Sequence, residues 1–196
     1  VYTSLEALTQ AVKAKKNTEK TRVVAFFDAE ETGSVTSSGA ASSFLPSILK
    51  RITYSHSKTS QDPCAYEKSL NSSFLISADM AHAYHPSFPH KHDQHHLPII
   101  NEGLVLKENA NDRYASSGLS GTFFKELCKQ AKVPVQNFVT RQDMGCGSTI
   151  GPSLAALLNC PTVDVGLAMW AMHSTVETMG TRDLSYAVDA FKEFFS

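Results

Sequence analysis

Short apolar runs recur along the chain at helix-length intervals, and this pattern constrains the fold more than any other feature. TRVVAFF at 21–27, SFLIS at 73–77, LVLK at 104–107, FVTR at 138–141 and TVDVG at 162–166 read as strands. Their interiors are largely apolar rather than alternating, as in strands covered on both faces. Between them lie helical periods. Leu5, Leu8, Ala11 and Val12 share one face of residues 4–16, and Leu119, Phe123, Phe124, Leu127 and Ala131 recur through 114–132 until Pro134. A small and hydroxylic stretch at 35–52 turns into a helix with Pro46 in its first turn, where the missing N–H costs little. SLAALLN at 153–159 reads as a short helix, and 184–195 as a closing amphipathic one with a core stripe of Phe191, Phe194 and Phe195. Residues 54–62 are polar loop, and 78–98, rich in His and Pro, is mostly loop. Strands alternating with helices predict an α/β layer domain with helices on both faces of the sheet.

Composition narrows the function by exclusion. The 196 residues carry 18 Lys plus Arg against 19 Asp plus Glu, so the net charge of −1 predicts no nucleic-acid partner. No apolar run reaches the roughly 18 residues of a membrane span, so no membrane partner is expected. The N-terminus has neither an initiator Met nor a signal-peptide pattern, and reads as the middle of a longer sequence. Cys64, Cys128, Cys146 and Cys160 are widely spaced with no Cys-x-x-Cys, which favours reduced thiols and an intracellular setting.

Three candidate loops place hard or borderline ligands near strand ends, where α/β domains carry their function. DAEETGS puts Asp28, Glu30 and Glu31 after the first strand, ADMAHAYHP puts Asp79, His82 and His85 after the second, and AMHS puts His173 after the last. An uncompensated buried carboxylate costs several kcal/mol, so strand-end acids are solvated, paired or metal-bound. Acids and histidines from three separate exits suit a zinc-type site. If 28–31 is extended, Glu30 and Glu31 point to opposite sides, one free to ligate metal and the other to activate water. Taken singly, each motif has a plainer reading: an exposed acidic turn, a capping Asp, a core histidine. GCGSTIG at 145–151 lacks the Lys of a P-loop and the Gly-x-Ser-x-Gly elbow of a serine hydrolase. The six histidines of 82–96 are interrupted by Pro86 and Pro89, which argues against a helical chelate, and Met169 and Trp170 read as packing residues.

Read together, FFDAEETGSVTSSGA, SADMAHAYHP, KHDQHHLP, LVLKENANDRYAS, GCGSTIGPSLAA and VDVGLAMWAMHSTVET resemble the aspartyl aminopeptidase family of dinuclear zinc exopeptidases, in the family's order from Arg22 onward. The resemblance implies a three-layer α/β/α domain with a central mixed, mostly parallel sheet. It implies Glu30 as general base, Glu31 and His173 as ligands of one zinc, and Asp79 as a ligand of the other. His82, Lys107 and Tyr114 fall at substrate-binding positions, and Gly147, Ser148 and Thr149 are expected to line the site. The implied reaction is two-zinc hydrolysis of the N-terminal residue of a peptide with a free N-terminus, and Lys107 favours Asp or Glu there. A homo-oligomer, a dodecamer in the family, and a cytoplasmic or alternatively vacuolar location are also implied. The resemblance further implies a His and a bridging Asp upstream of the strand leading to Glu30. These residues contain neither, nor the family's inserted dimerisation domain. The chain is therefore expected to be the C-terminal portion of a metallo-aminopeptidase catalytic domain, inactive alone. The alternative is a catalytically incomplete piece with a structural or assembly role.

Overall fold

The computed structural model describes residues 1–14, 19–56 and 61–196. Its elements run α1 (Tyr2–Lys13), α2 (Phe44–Ser55), α3 (Ala65–Asn71), β1 (Leu75–Ala78), β2 (Ala81–His82), β3 (Leu104–Glu108), α4 (Gly118–Gln130), β4 (Val135–Val139), α5 (Ile150–Leu158), β5 (Thr162–Trp170), β6 (Thr178–Met179) and α6 (Thr181–Phe194). Single 3-10 turns lie at Glu30–Thr32 and Pro89–Lys91.

The sheet is organised by β5, which is buried along all but its last residue. Strand order is β1-β5-β3-β4, and the short β2 and β6 flank the C-terminal end of β5. β1 and β2 run parallel to β5 and β3 runs parallel to β4, while β3 and β6 oppose β5. The sheet is thus mixed and mostly parallel, as the family resemblance implies.

The period of two along β5 sorts its side chains between layers. Val163, Val165 and Leu167 join Leu104 and Leu106 of β3 in the main core, against Ala7 and Ala11 of α1, Phe124 and Leu127 of α4, and Ala187, Ala190 and Phe191 of α6. Small residues on α1 and α6 allow those helices close approach. Phe124 has no exposed surface, and truncating such a ring costs about 3–5 kcal/mol. The other face is covered by α5, whose Leu154 and Leu158 pack with Leu75 of β1 and Leu45 of α2. These are the three layers. Helix starts follow local chemistry: Ser117 and Ser120 form a reciprocal capping box at α4, and the Thr149 hydroxyl caps α5. Among the described residues no helix is long and apolar enough to cross a membrane.

The segment 21–27 departs from expectation. Among the described residues it forms no ladder with another strand. Val24 packs on the main core and Ala25 and Phe27 on the smaller one, but Val23 and Phe26 are exposed. Apolar composition signals burial, whereas a strand also needs a neighbour for its N–H and C=O groups. The 114–132 helix begins only at Gly118, since Ser117 caps it. β4 starts at Val135 rather than 138, and β5 runs four residues past Gly166. α3, β2 and β6 carry too short a pattern to be anticipated. Lys15 and Lys16, expected to extend the first helix, and residues 57–60 of the expected loop lie outside the described residues.

Candidate functional site

All ten residues singled out from the sequence open onto one cleft of about 1000 Å³: Glu30, Glu31, Asp79, His82, Lys107, Tyr114, Gly147, Ser148, Thr149 and His173. Its floor is built by close approach. Where β1 ends, the Asp79 N–H donates to the Val165 carbonyl at 2.9 Å. The Asp79 carbonyl then occupies the space above Gly166, where an added Cβ would lie 1.9 Å from that oxygen. β3 brings Lys107 to the same face. Its side chain is only 3% exposed, and Nζ donates to Asp79 Oδ2 at 3.0 Å. Nζ also lies 5.4 Å from the Tyr114 ring centroid. A buried ammonium needs such compensation, from a carboxylate and from the ring face.

On the opposite lip Glu31 Oε1 lies 3.1 Å from His173 Nε2, with the side chains 70% and 66% exposed. His173 is therefore not a core histidine. The backbone at Glu30–Thr32 is a 3-10 turn rather than extended, so the opposite-sides argument fails in its premise. The two acids nonetheless differ, Glu30 half-buried and Glu31 exposed. Non-glycine residues in left-handed conformation flank both loops: Ala29 (φ 57°), Ser34 (62°), Ala171 (57°) and His173 (68°). Such positions cost about 1–2 kcal/mol each, and they persist where other contacts hold them. The Ser34 N–H donates to the Ala29 carbonyl at 2.9 Å, and the His173 N–H to Glu177 Oε1 at 2.6 Å.

Three titratable side chains of the cleft are shifted by their surroundings. Burial, then the charges of Asp79 and Glu31, raises the Glu30 carboxyl above its ordinary value, against the lowering effect of Lys107 and His173. His82 is exposed on the cleft, with partial desolvation by the surrounding protein. That desolvation, followed by the charges of Lys107 and His173, pushes it below the usual imidazole value. Burial, then the neighbouring Cys146 thiol, pushes the Tyr114 phenol up. Cys146 Sγ lies 3.4 Å from that hydroxyl and accepts from Thr140 Oγ1 at 3.2 Å.

The wall carrying 145–149 rests on a residue the sequence reading passed over. Asp164 is fully buried on β5. Its Oδ1 accepts from Thr149 Oγ1 at 2.7 Å and from Ser77 Oγ at 2.5 Å, and its Oδ2 accepts from the Ala115 N–H at 2.6 Å. A Cβ on Gly151 would sit 2.1 Å from Oδ2, so the start of α5 can press on this carboxylate only as glycine. One acid thus ties together β1, the segment after Tyr114 and the glycine-rich turn. An Asp inside an otherwise apolar strand was the available signal. Met169 is 4% exposed and packs as expected, but Trp170 is 37% exposed and lines the cleft. His90 and His95 are exposed.

The donor chemistry on the open lip, an imidazole nitrogen against a carboxylate oxygen, fits a borderline divalent cation. The number does not reach closure. Among the described residues no three His, Cys, Asp or Glu side chains converge closely enough to hold a metal, and Asp79 is turned to Lys107.

A mixed sheet between two helical layers, with carboxylates and imidazoles on loops at its edge, has the form of a metallopeptidase domain. The chain belongs to the M18 peptidase family: residues 1–195 match the model described as aminopeptidase I zinc metalloprotease (M18). It is 44% identical to the probable aspartyl aminopeptidase of Ricinus communis, over 99% of this chain and 40% of that protein. It is 41% identical to aspartyl aminopeptidase 1 of Schizosaccharomyces pombe, over 99% of this chain and 41% of that protein. The crystal structure of prApe1 superposes with a TM-score of 0.91 at 31% identity, covering 99% of this chain and 41% of that one. A chain of the cryo-EM structure of the Ape4 and Nbr1 complex superposes with a TM-score of 0.89 at 41% identity, covering 98% of this chain and 37% of that one. The chain spans about two fifths of the length of the curated relatives it matches.

Proposed function

We propose that this chain carries the C-terminal portion of the catalytic domain of a zinc aminopeptidase that removes N-terminal Asp or Glu from peptides. The observation that carries the reading is a single cleft uniting Glu30, Glu31, Asp79 and His173 with a buried cation, Lys107. Glu31 and His173 would hold one zinc and Asp79 a second, with the remaining ligands supplied from outside the described residues. Zinc, when bound, supplies a Lewis acid that polarises the scissile carbonyl.

The residues of this chain divide the remaining work. Glu30, with its carboxyl raised by burial and neighbouring acids, takes a proton from the attacking water onto its carboxylate and passes it to the leaving amine. Lys107 orients the first side chain. Its ammonium is desolvated and paired with Asp79 at 3.0 Å, with Glu30 also within its electrostatic reach, so a substrate carboxylate is a better occupant of its surroundings than a neutral side chain. His82, held towards its neutral form, and Tyr114 border the reacting carbonyl. Gly147, Ser148 and Thr149 close the wall, with Ser148 Oγ tied to the Arg113 carbonyl at 3.2 Å.

By the same reading the complete protein is a homo-oligomer in the cytoplasm, with the vacuole as alternative. One solved neighbour, 30% identical with a TM-score of 0.84, is the S. cerevisiae mApe1 dodecamer. These 196 residues alone are expected not to hydrolyse peptides, because among the described residues no group of His, Cys, Asp and Glu closes a metal site.

The test is a completed enzyme in which these residues replace the matching part of the S. pombe relative. It should bind two zinc ions per subunit and release Asp from an Asp-peptide, and Glu30→Gln should abolish release while keeping the zinc. A folded, zinc-loaded Glu30→Gln enzyme as active as its parent would refute the assignment. Full activity of the isolated 196-residue chain would refute the incomplete-site reading.

A further inference from the structure

At the mouth of the same cleft two large aromatic side chains stand in the open. Phe88 is 51% exposed and Trp170 37%, and both line the cavity. Single exposed rings are ordinary, but a contiguous group of them lining a cleft marks a contact surface. They form one array: the His85 ring lies between them, with centroids 5.2 Å from Phe88 and 5.7 Å from Trp170.

The array is held in place. Trp170 Nε1 donates to the Tyr84 carbonyl at 2.9 Å, fixing the indole. The His85 N–H donates to His92 Nε2 at 3.1 Å, and His85 Nδ1 accepts from the Ser87 N–H at 3.2 Å. Few rotamers remain to be frozen on binding, which favours a preformed subsite. Its place along a bound peptide follows from chain connectivity. Trp170 precedes His173 by three residues and His85 follows His82 by three, so the array borders the same cleft beside those two histidines.

We propose that Phe88, His85 and Trp170 form the subsite for the side chain of the substrate's second residue, selecting large apolar or aromatic groups there. This deepens the function proposed above and rests on it. With the first side chain directed to Lys107, the peptide leaves the scissile carbonyl towards the mouth and meets the aromatic shelf. Ring-on-ring or ring-on-aliphatic contact supplies the preference.

The experiment compares kcat/KM for Asp-Phe and Asp-Ala dipeptide amides in the completed enzyme. The ratio is expected to favour Asp-Phe and to fall about three- to tenfold in Phe88→Ala and again in Trp170→Ala. A ratio unmoved by either substitution overturns the proposal. So does a fall in subunit assembly, read as mass in solution, without a fall in the ratio, since the shelf would then be a contact between copies. If the completed enzyme cleaves neither amide, the hydrolase reading fails and the subsite is judged on binding. Trp170 is the chain's single tryptophan. Its emission in the 196-residue chain should then be quenched by millimolar Asp-4-nitrophenylalanine amide and less so in Phe88→Ala; absence of quenching overturns the subsite as well.

Discussion

The two walls of the cleft are built in opposite ways. The wall formed by Tyr114, Thr149 and the glycine-rich turn is anchored on Asp164, fully buried and accepting three hydrogen bonds from three separate segments. The lip formed by Glu31 and His173 is solvent-exposed, joined by one contact of 3.1 Å and carried on loops with left-handed alanine, serine and histidine residues. One wall is finished within this chain. The other stays open to solvent, and it is the side on which the proposed zinc would sit. Groups destined for metal must stay open and under some strain, while groups that shape a side-chain pocket gain from being locked.

The comparison is sharpened most by substitutions that strike only one wall. In the completed enzyme, Glu30→Gln should lower kcat by about 100- to 10,000-fold with zinc content unchanged. Lys107→Met should reduce kcat/KM for an Asp-peptide by about 100-fold and for a Leu-peptide far less; equal losses would show that the buried cation does not read the first side chain. On stability the order reverses. Asp164→Ala leaves two hydroxyls and an N–H without their acceptor and should destabilise the 196-residue chain by about 3 kcal/mol in urea denaturation, whereas Glu31→Ala should leave the midpoint unmoved. If Glu31→Ala proves the more damaging, the contrast between the walls is wrong.

The smallest expected effect concerns the strain on the open side. The Glu30 carboxyl is raised in the folded chain, first by burial and then by Asp79 and Glu31. A carboxyl whose folded pKa lies above its unfolded value favours the fold only while protonated. Its contribution is therefore full below the unfolded value of 4.5 and is lost as pH rises through the folded one. In the metal-free chain, Glu30→Gln should thus raise the melting temperature slightly at pH 7, by about 1–2 °C, with the difference vanishing at pH 3.5. A variant less stable than its parent at pH 7 would place Glu30 in a supporting rather than a strained environment.

Legibility in the sequence followed the strength of each local signal. β3 and β5 were readable because runs such as LVLK and TVDVG are continuous and β-branched, and α4 and α6 because their apolar spacing spans several turns. β2 and β6, two residues each, exist only through pairing with β5 and leave no periodic trace. The run at 21–27 misled because its composition reports burial, and composition says nothing about a neighbouring strand. Glu30, Glu31, Asp79 and His173 stood out as charged or imidazole groups just beyond apolar runs. Asp164 did not, since a single acid within a strand looks like an irregularity until its three donors are seen. Trp170 was assigned to packing because one large ring near the end of an apolar strand carries no sign of which face stays open.

The central claim is that side chains of this chain are zinc ligands at the open lip. A crystal structure of the completed enzyme, with an anomalous map at the zinc edge, tests it directly. The account predicts zinc density about 2.0–2.2 Å from the His173 imidazole and from the Glu31 carboxylate, with a second peak on Asp79. Zinc bound instead among His90, His95 and His96, or a cleft containing none, would contradict it.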